Sequence, residues 1–577
     1  MPGLLIVLDP SSGEGLNDVF DRGLNGLYRR PWHQIVFDSE DTGLWYRVAV
    51  LEDPSLDLIR VDRESAEGLR LGLFDIVGQA GAFDGVPDSG GFVRCFFADP
   101  SRSFRVECDP WGQYRLYYRS VGSKLVITTD PCLVLGFDQG DNHRSAENWM
   151  RNAAIGGVIN GGGLSEPWRM VPPRTALASG SEGGVSEVSF SDGWIGNDVA
   201  RPLESEDELN ARLVDCFRQT SQGIVDAHGE RLGLSLTGGV DSRMAAAGLW
   251  ATGSRPTSYC FGSEYGRSRD ERVAAEIASA IGCPLEVVRL DAGFRDRFWS
   301  LAKECVRATG GLLDVSGAAE IYVNEQARQW GAVRVTGNYG GELYRNLIAM
   351  GPTGFVGRGF VREMQGFARD AVEGFRALDL SRPSAFIADI QMPVGHYARR
   401  VAERSQLLAV SPFVSLGALR AHRSFGAPVC HRAEFLRWAR ALFADTPLSS
   451  IDRHNVRQDD SGTLRLSSRF WDKLTFKFEY YVDYGMPSAV ASALAALRLS
   501  NVDRWFLGRH KFYHFNRWYR NELKGVVGDV LLDPQFLNLS EIDRNAVNRL
   551  VEEHHSGRRN HTLEIHGLLG FAAFRGI

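Results

Sequence analysis

The sequence predicts an α/β protein of two domains, an antiparallel α+β sandwich followed by a doubly wound parallel sheet with helical additions. Three observations predict it. The 577 residues exceed what a single core usually serves. Up to about residue 200, short β-like runs are punctuated by Gly, Pro, Asp and Ser, whereas from about 205 strands alternate with amphipathic helices. Two glycine-rich turns, at 237–242 and 336–342, each follow an apolar strand pattern. The domains are placed at 1–203 and 204–577.

In the first domain the β-like runs are Leu4 to Leu8, Trp45 to Val50, Gly91 to Phe97, Ser103 to Cys108, Tyr114 to Arg119 and Lys124 to Thr129, at spacings typical of antiparallel sheets. The second opens on Ser205-Glu-Asp-Glu-Leu, which starts a long amphipathic helix with acidic residues in its first turn. Strands follow in the apolar run that opens at Leu232 ahead of the paired glycines, and at Pro256 to Phe261, Leu285 to Leu290 and Ala332 to Thr336. Helices are expected at Ser242 to Trp250, Asp270 to Ile281, Phe294 to Ala308 and Ala318 to Trp330, the second with apolar positions 273, 274, 277, 278 and 281 on one face. In such a sheet ligands bind beyond the carboxyl ends of the strands, so both glycine-rich turns should face one site. Beyond 355 the chain reads as mostly helical, with a polar insert from Ser449 to Ser468 that is either a solvated excursion or a lid.

A formal charge of −6 with interspersed signs argues against a nucleic-acid binder, which would carry a basic stripe. The amino-terminal Met1-Pro-Gly-Leu-Leu-Ile-Val-Leu has no basic n-region, and its apolar run is too short to span a membrane. A cytoplasmic location is expected. The eight cysteines are scattered, with no Cys-x-x-Cys pair and no His spacing suited to zinc, and read as reduced, mostly buried thiols.

Thr237-Gly-Gly-Val-Asp-Ser242 carries the chemistry. Gly238 and Gly239 let bare backbone N–H groups approach an anion, and the following helix aims its amino-terminal dipole at the same place. Thr237 and Ser242 add hydroxyl donors, and Asp241 can hold magnesium between phosphate oxygens. An ordinary strand-turn-helix corner would need none of these together.

These residues resemble the class B asparagine synthetase superfamily, with its β-lactam synthetase and lasso-peptide macrolactam cyclase branches. The resemblance rests on the 237–242 signature, Asp270-Glu271 heading a helix, the turn at 336–342, Ser411-Pro-Phe413 and Arg509-His-Lys-Phe512. In the first domain it rests on Gly90-Gly-Phe, on Asp109-Pro-Trp-Gly-Gln-Tyr-Arg-Leu-Tyr-Tyr118 and on Ile127-Thr-Thr-Asp130. It implies an Ntn-type, glutaminase-like sandwich ahead of an adenine nucleotide alpha hydrolase-like domain. Glutamine-hydrolysing relatives use a cysteine after the initiator methionine; here position 2 is proline, so the sandwich is expected to be an inactive glutaminase.

The resemblance implies ATP and Mg2+ as cofactors. It places Ser235, Thr237, Gly238, Gly239, Asp241 and Ser242 around the nucleotide's phosphates with Gly337 and Arg509, and Phe261 and Gly262 against the adenine. Lys511 matches a lysine over the phosphates and the acyl-adenylate. Ungapped, Gly341 falls where the family has a metal-binding aspartate. A one-residue shift makes Glu342 the second metal ligand beside Asp241, and sets Tyr339 in a Tyr-Glu pair that deprotonates the amine. Asp270 and Glu271 are explained as well by an acidic helix start. His561 and His566 read as structural.

The leading expectation is an AMP-forming ligase that adenylates a small-molecule or peptide carboxylate and closes an amide or lactam, such as a lasso-peptide macrolactam. That branch implies a precursor peptide and its leader-processing protein as partners, and neither nucleic acid nor membrane. An ammonia-dependent asparagine-type synthetase is the alternative in the same class, although Pro412-Phe-Val-Ser415 replaces the usual Pro-Phe-Leu-Asp. A catalytically degenerate nucleotide- or precursor-binding protein is the alternative from another class. Thiolating or sulfate-adenylating users of the loop do not usually carry such a first domain.

Overall fold

A computed structural model describes residues 2–9, 14–27, 33–38, 45–53, 55–62, 68–76, 89–98, 103–138, 144–159, 163–179, 185–189, 206–424, 446–450, 475, 479 and 507–577. The expected α/β class is found. The first part holds two six-stranded antiparallel sheets, one ordered Arg169–Met170, Tyr117–Val121, Lys124–Thr128, Gly3–Asp9, Trp45–Glu52, His33–Asp38. The other runs Val185–Ser189, Thr175–Ser179, Ser103–Cys108, Phe92–Ala98, Gly68–Phe74, Ile59–Asp62. They face each other through side chains such as Tyr46 and Phe97, whose rings stack at 4.3 Å.

Gly3–Asp9 is buried along its whole length, because the opposite sheet covers one face and the helix Leu16–Gly26 the other. That two-sided burial explains why the segment is continuously apolar rather than alternating. One strand begins later than its apolar pattern suggests, at Tyr117 instead of Tyr114. The Asp109 carboxylate accepts the backbone N–H groups of Gln113 (2.8 Å) and Tyr114 (2.9 Å) and holds 109–114 in a turn.

The second part is a five-stranded parallel sheet ordered Leu285–Leu290, Thr257–Ser263, Leu232–Ser235, Val333–Val335, Leu408–Val410. The strand order reverses between Leu232–Ser235, first in the chain, and its neighbour Val333–Val335, fourth in the chain. A crevice opens at such a switch point, where consecutive connections leave toward opposite faces. Both glycine-rich turns leave from these two strands. The fifth strand was not expected from the sequence. Helix Arg269–Ile281 shows the local logic: Ser268 caps it by accepting the Glu271 N–H at 3.1 Å, its five expected apolar positions are buried, and Gly282 ends it at φ 74°.

The two parts meet around Asp75. Its carboxylate accepts two N–H groups of Arg404 at 2.6 and 2.8 Å, the Tyr114 hydroxyl at 2.8 Å and the Gly91 N–H at 3.0 Å. The ion pair is fully buried. The domain boundary near 203 and all but the first two residues of the 449–468 insert lie outside the described residues. No described helix is long and apolar enough to cross a membrane. Of the cysteines, Cys95, Cys108, Cys132, Cys216, Cys260, Cys283 and Cys305 are free thiols, all but Cys216 buried.

Candidate active site

The first loop is built as the sequence suggests. Leu232–Ser235 is buried throughout and the helix Val240–Ala251 starts immediately after Gly239. The Ser242 hydroxyl turns back onto the loop, donating to the carbonyls of Thr237 (3.1 Å) and Gly239 (3.2 Å) and accepting the Thr237 N–H at 3.2 Å. Thr237 Oγ1 accepts the Gly239 N–H at 3.1 Å. These bonds preform the concave backbone on which a phosphate can sit. Ser235 is placed differently from its expected role in nucleotide binding. Its hydroxyl accepts from the buried Arg334 at 2.9 Å, which ties two strands of the sheet together.

The second turn lies directly on the first loop. A Cβ at Gly337 would stand 2.4 Å from the Ser242 nitrogen, and one at Gly340 would stand 3.1 Å from Asp241 Cβ and Cγ. Only glycine permits the first of these approaches, so the pairing of the two turns is a steric requirement written in the sequence. Between them opens a cavity of about 180 Å3, lined by Asp241, Asn338, Tyr339, Glu342, Arg345, Leu347, His396 and Arg400 among others. The π-helix Ile387–Gly395 delivers His396 to it, and Gly112 of the first domain packs against that helix at Pro393.

Tyr339 sits at φ 70°, a left-handed conformation costly for a residue with a side chain. It is buried, and the Gln113 amide donates to its hydroxyl at 3.0 Å. Burial pushes its phenol well above the ordinary range, outweighing the opposite pull of Arg400 and Gln113. At neutral pH it keeps its proton, so its expected role as the amine's base is not one this geometry supports.

Asp241 and Glu342 do line one cavity, but each faces another side chain of the protein. Arg345 Nη2 lies 2.7 Å from Asp241 Oδ2, and His396 Nε2 lies 2.9 Å from Glu342 Oε1. Burial pushes the Glu342 carboxyl up, while the hydrogen bond and charge of His396, with Arg345, pull it further down and leave it below the ordinary carboxylate value. No group of three or more His, Cys, Asp or Glu placed to hold a metal occurs among the described residues. With Arg345 on Asp241 and the His396 imidazole on Glu342, the two carboxylates as arranged are not turned to a shared magnesium ion.

The segment around Lys511 covers the carboxyl end of Thr257–Ser263. Phe512 meets Phe261 edge-on at 4.9 Å, His514 Nε2 lies 3.2 Å from the Ser263 hydroxyl, and the Arg269 N–H donates to the Arg509 carbonyl at 2.7 Å. Lys511 is buried, and its charge joins burial and Arg517 in holding His514 down at about 3. Arg509 is exposed, and its carbonyl is the acceptor for the Arg269 N–H. Gly262 is accounted for by packing, since a Cβ there would stand 2.5 Å from Val287 Cγ1. Glu271 pairs with Arg289 at 2.9 Å and donates its N–H to Ser268 at the helix start, while Asp270 lies against the first loop, where a Cβ at Gly238 would stand 2.7 Å from its Oδ1. His561 bonds Glu553 and His566 bonds Tyr519, both at 2.8 Å, matching their structural reading.

Sequence reasoning missed Arg345, His396, Arg400 and Glu479. Glu479 accepts the backbone N–H groups of Gly508 (2.9 Å), His510 (2.8 Å) and Lys511 (3.3 Å), and so shapes the loop that carries Lys511. Arg345 had a signal, standing in the same short helix as Glu342; His396 and Arg400 lie in a helical stretch with no motif.

No family model and no curated protein sequence matches the chain. Among solved structures it is similar to NMN synthetase from Francisella tularensis, at 13% identity and a TM-score of 0.20, over 36% of this chain and 98% of that one. It is also similar to the glutamine phosphoribosylpyrophosphate amidotransferase from B. subtilis complexed with ADP and GMP, at 10% identity and a TM-score of 0.22, over 58% of this chain and 81% of that one.

Proposed function

We propose that the protein is an ATP-dependent, AMP-forming carbon–nitrogen ligase. The carrying observation is the hydroxyl-braced loop 237–242 at the switch point of a parallel sheet, with the second glycine-rich turn packed onto it. In this reading a substrate carboxylate oxygen attacks the α-phosphorus of ATP and the bond to the bridging oxygen breaks, releasing pyrophosphate. An amine nitrogen then attacks the acyl-adenylate, loses a proton, and AMP leaves.

The loop's N–H groups and the dipole of Val240–Ala251 would hold the departing pyrophosphate, while Lys511 would approach the same phosphates from above the Thr257–Ser263 strand. His396, with Glu342 at 2.9 Å from its Nε2, would take the place expected of Tyr339 as proton acceptor, histidine being the side chain that most often serves as a positioned base. An amine carried by the substrate, as in a lactam or a peptide macrolactam, fits the first domain as described. Burial pushes up the thiols of Cys95, Cys108, Cys132, Cys260, Cys283 and Cys305, so none of these six is poised as the thiolate a glutaminase needs.

A degenerate nucleotide-binding protein is the second reading, favoured by the contacts that engage Asp241 with Arg345 and Glu342 with His396. Product analysis separates them: the ligase releases AMP and pyrophosphate from ATP when its carboxylate is present, and the binder consumes no ATP while still binding it. A product that forms only with added ammonium would favour the ammonia-dependent synthetase over lactam closure.

A further inference from the structure

We propose that Arg345 is a phosphate-binding residue of this site, its guanidinium supplying the positive charge expected of magnesium beside Asp241. This inference rests on the nucleotide-binding reading of the 237–242 loop. Arg345 Nη2 stands 2.7 Å from Oδ2 of Asp241, a residue of the 237–242 loop, and its side chain lines the cavity at 25% exposure. It is thus neither sealed in a core nor loose on the surface.

The second turn makes room for it. A Cβ built at Gly341 would lie 3.0 Å from Arg345 Nη2, so the guanidinium rests against the bare face of the position at which ungapped alignment calls for a metal-binding carboxylate. Replacing a carboxylate there by a guanidinium removes one negative charge and adds one positive, which reverses what the loop needs to hold an anion. Asn346, at φ 51°, closes the short helix Gly340–Arg345 immediately after the arginine and fixes where its side chain leaves the backbone.

A guanidinium carries its N–H donors in a planar fork, so it can serve a carboxylate and a phosphate together. Asp241 would then orient Arg345 rather than a metal. Arg400 adds a second guanidinium, this one buried, to the cavity wall, where Glu403 holds it at 2.6 Å.

Binding of inorganic pyrophosphate to the full-length protein, measured by calorimetry in EDTA and again in magnesium, tests this. The wild type should bind in EDTA, and Arg345→Gln should weaken that binding by about 10-fold or more, the loss of a charge-assisted hydrogen bond. Gly341→Asp keeps Arg345 but sets a carboxylate against it, and should lower binding in EDTA while making it respond to magnesium. This variant keeps the test open should Arg345→Gln not fold. Binding by the wild type only in magnesium, or binding in EDTA that both variants leave unchanged, would overturn the role of Arg345 alone. Failure of both pyrophosphate and ATP to bind under either condition would overturn the nucleotide reading, and this inference with it.

Discussion

The Gln113 side-chain amide donates to the Tyr339 hydroxyl at 3.0 Å, joining residues 226 apart in sequence. One belongs to the turn held by Asp109, the other to the glycine-rich turn on the phosphate loop. The first domain is therefore part of what shapes the cavity, independent of any chemistry of its own. Tyr339→Phe removes the bond but keeps the ring, which also packs edge-on against His396 at 5.5 Å. We expect a loss of about 1 kcal/mol in stability and less than about a 10-fold loss of turnover. A loss of about 100-fold or more in kcat, with KM unchanged, would restore the tyrosine as base.

Replacement of His396 by Gln should separate the two half-reactions. Adenylation, followed as exchange of pyrophosphate into ATP, is expected to persist, because the imidazole faces Glu342 rather than the 237–242 loop. Amide formation is expected to fall by about 100-fold or more, the ordinary contribution of a positioned base. Equal loss of both activities would assign His396 to the architecture of the turn.

Asp75 and Arg404 are fully buried and bound through two hydrogen bonds at 2.6 and 2.8 Å. Truncation by Asp75→Ala leaves a buried guanidinium without its counter-charge, for which we expect a cost of about 3–5 kcal/mol. Urea unfolding measures it. A change below about 1 kcal/mol would show that the two parts do not depend on this joint.

Buried carboxyls and buried histidines should pull stability in opposite directions over the same acid range. Burial pushes Asp109, Glu479 and Glu564 up to about 7, from ordinary values of 3.8 and 4.5. Between those limits the folded state holds protons that the unfolded chain has released, so this contribution is full at low pH and is lost as pH rises through about 7. Burial holds His514 and His554 down at about 3, against an ordinary 6.5. They contribute above 6.5, and that contribution is lost as pH falls below it. The two sets oppose each other between about 4.5 and 6.5 and leave stability level above about 7. The melting temperature of Glu564→Gln relative to the wild type should therefore rise as pH goes from about 4.5 to about 7 and stay constant above it, and a difference independent of pH would contradict this.

The local features were legible because each is repeated in the chain at a physical period. Apolar positions 273, 274, 277, 278 and 281 announce a helix, and Gly337 announces a backbone approach that a Cβ would block. Strand Leu408–Val410 escaped because three residues show no period. The delayed start at Tyr117 escaped because one carboxylate, Asp109, redirects two backbone amides. The contacts of Asp241 with Arg345 and of Glu342 with His396 were illegible for another reason. Each joins two distant segments, and only the folded sheet decides which side chain meets which carboxylate.

The most direct test of the central claim is substrate-dependent exchange of labelled pyrophosphate into ATP, across amino acids, β-amino acids and candidate precursor peptides, for the wild type, Asp241→Ala and Lys511→Ala. Exchange by the wild type with one class of carboxylate, and its loss in both variants, is the predicted result. Exchange that survives both substitutions, or ATP binding with no exchange for any carboxylate, would contradict it.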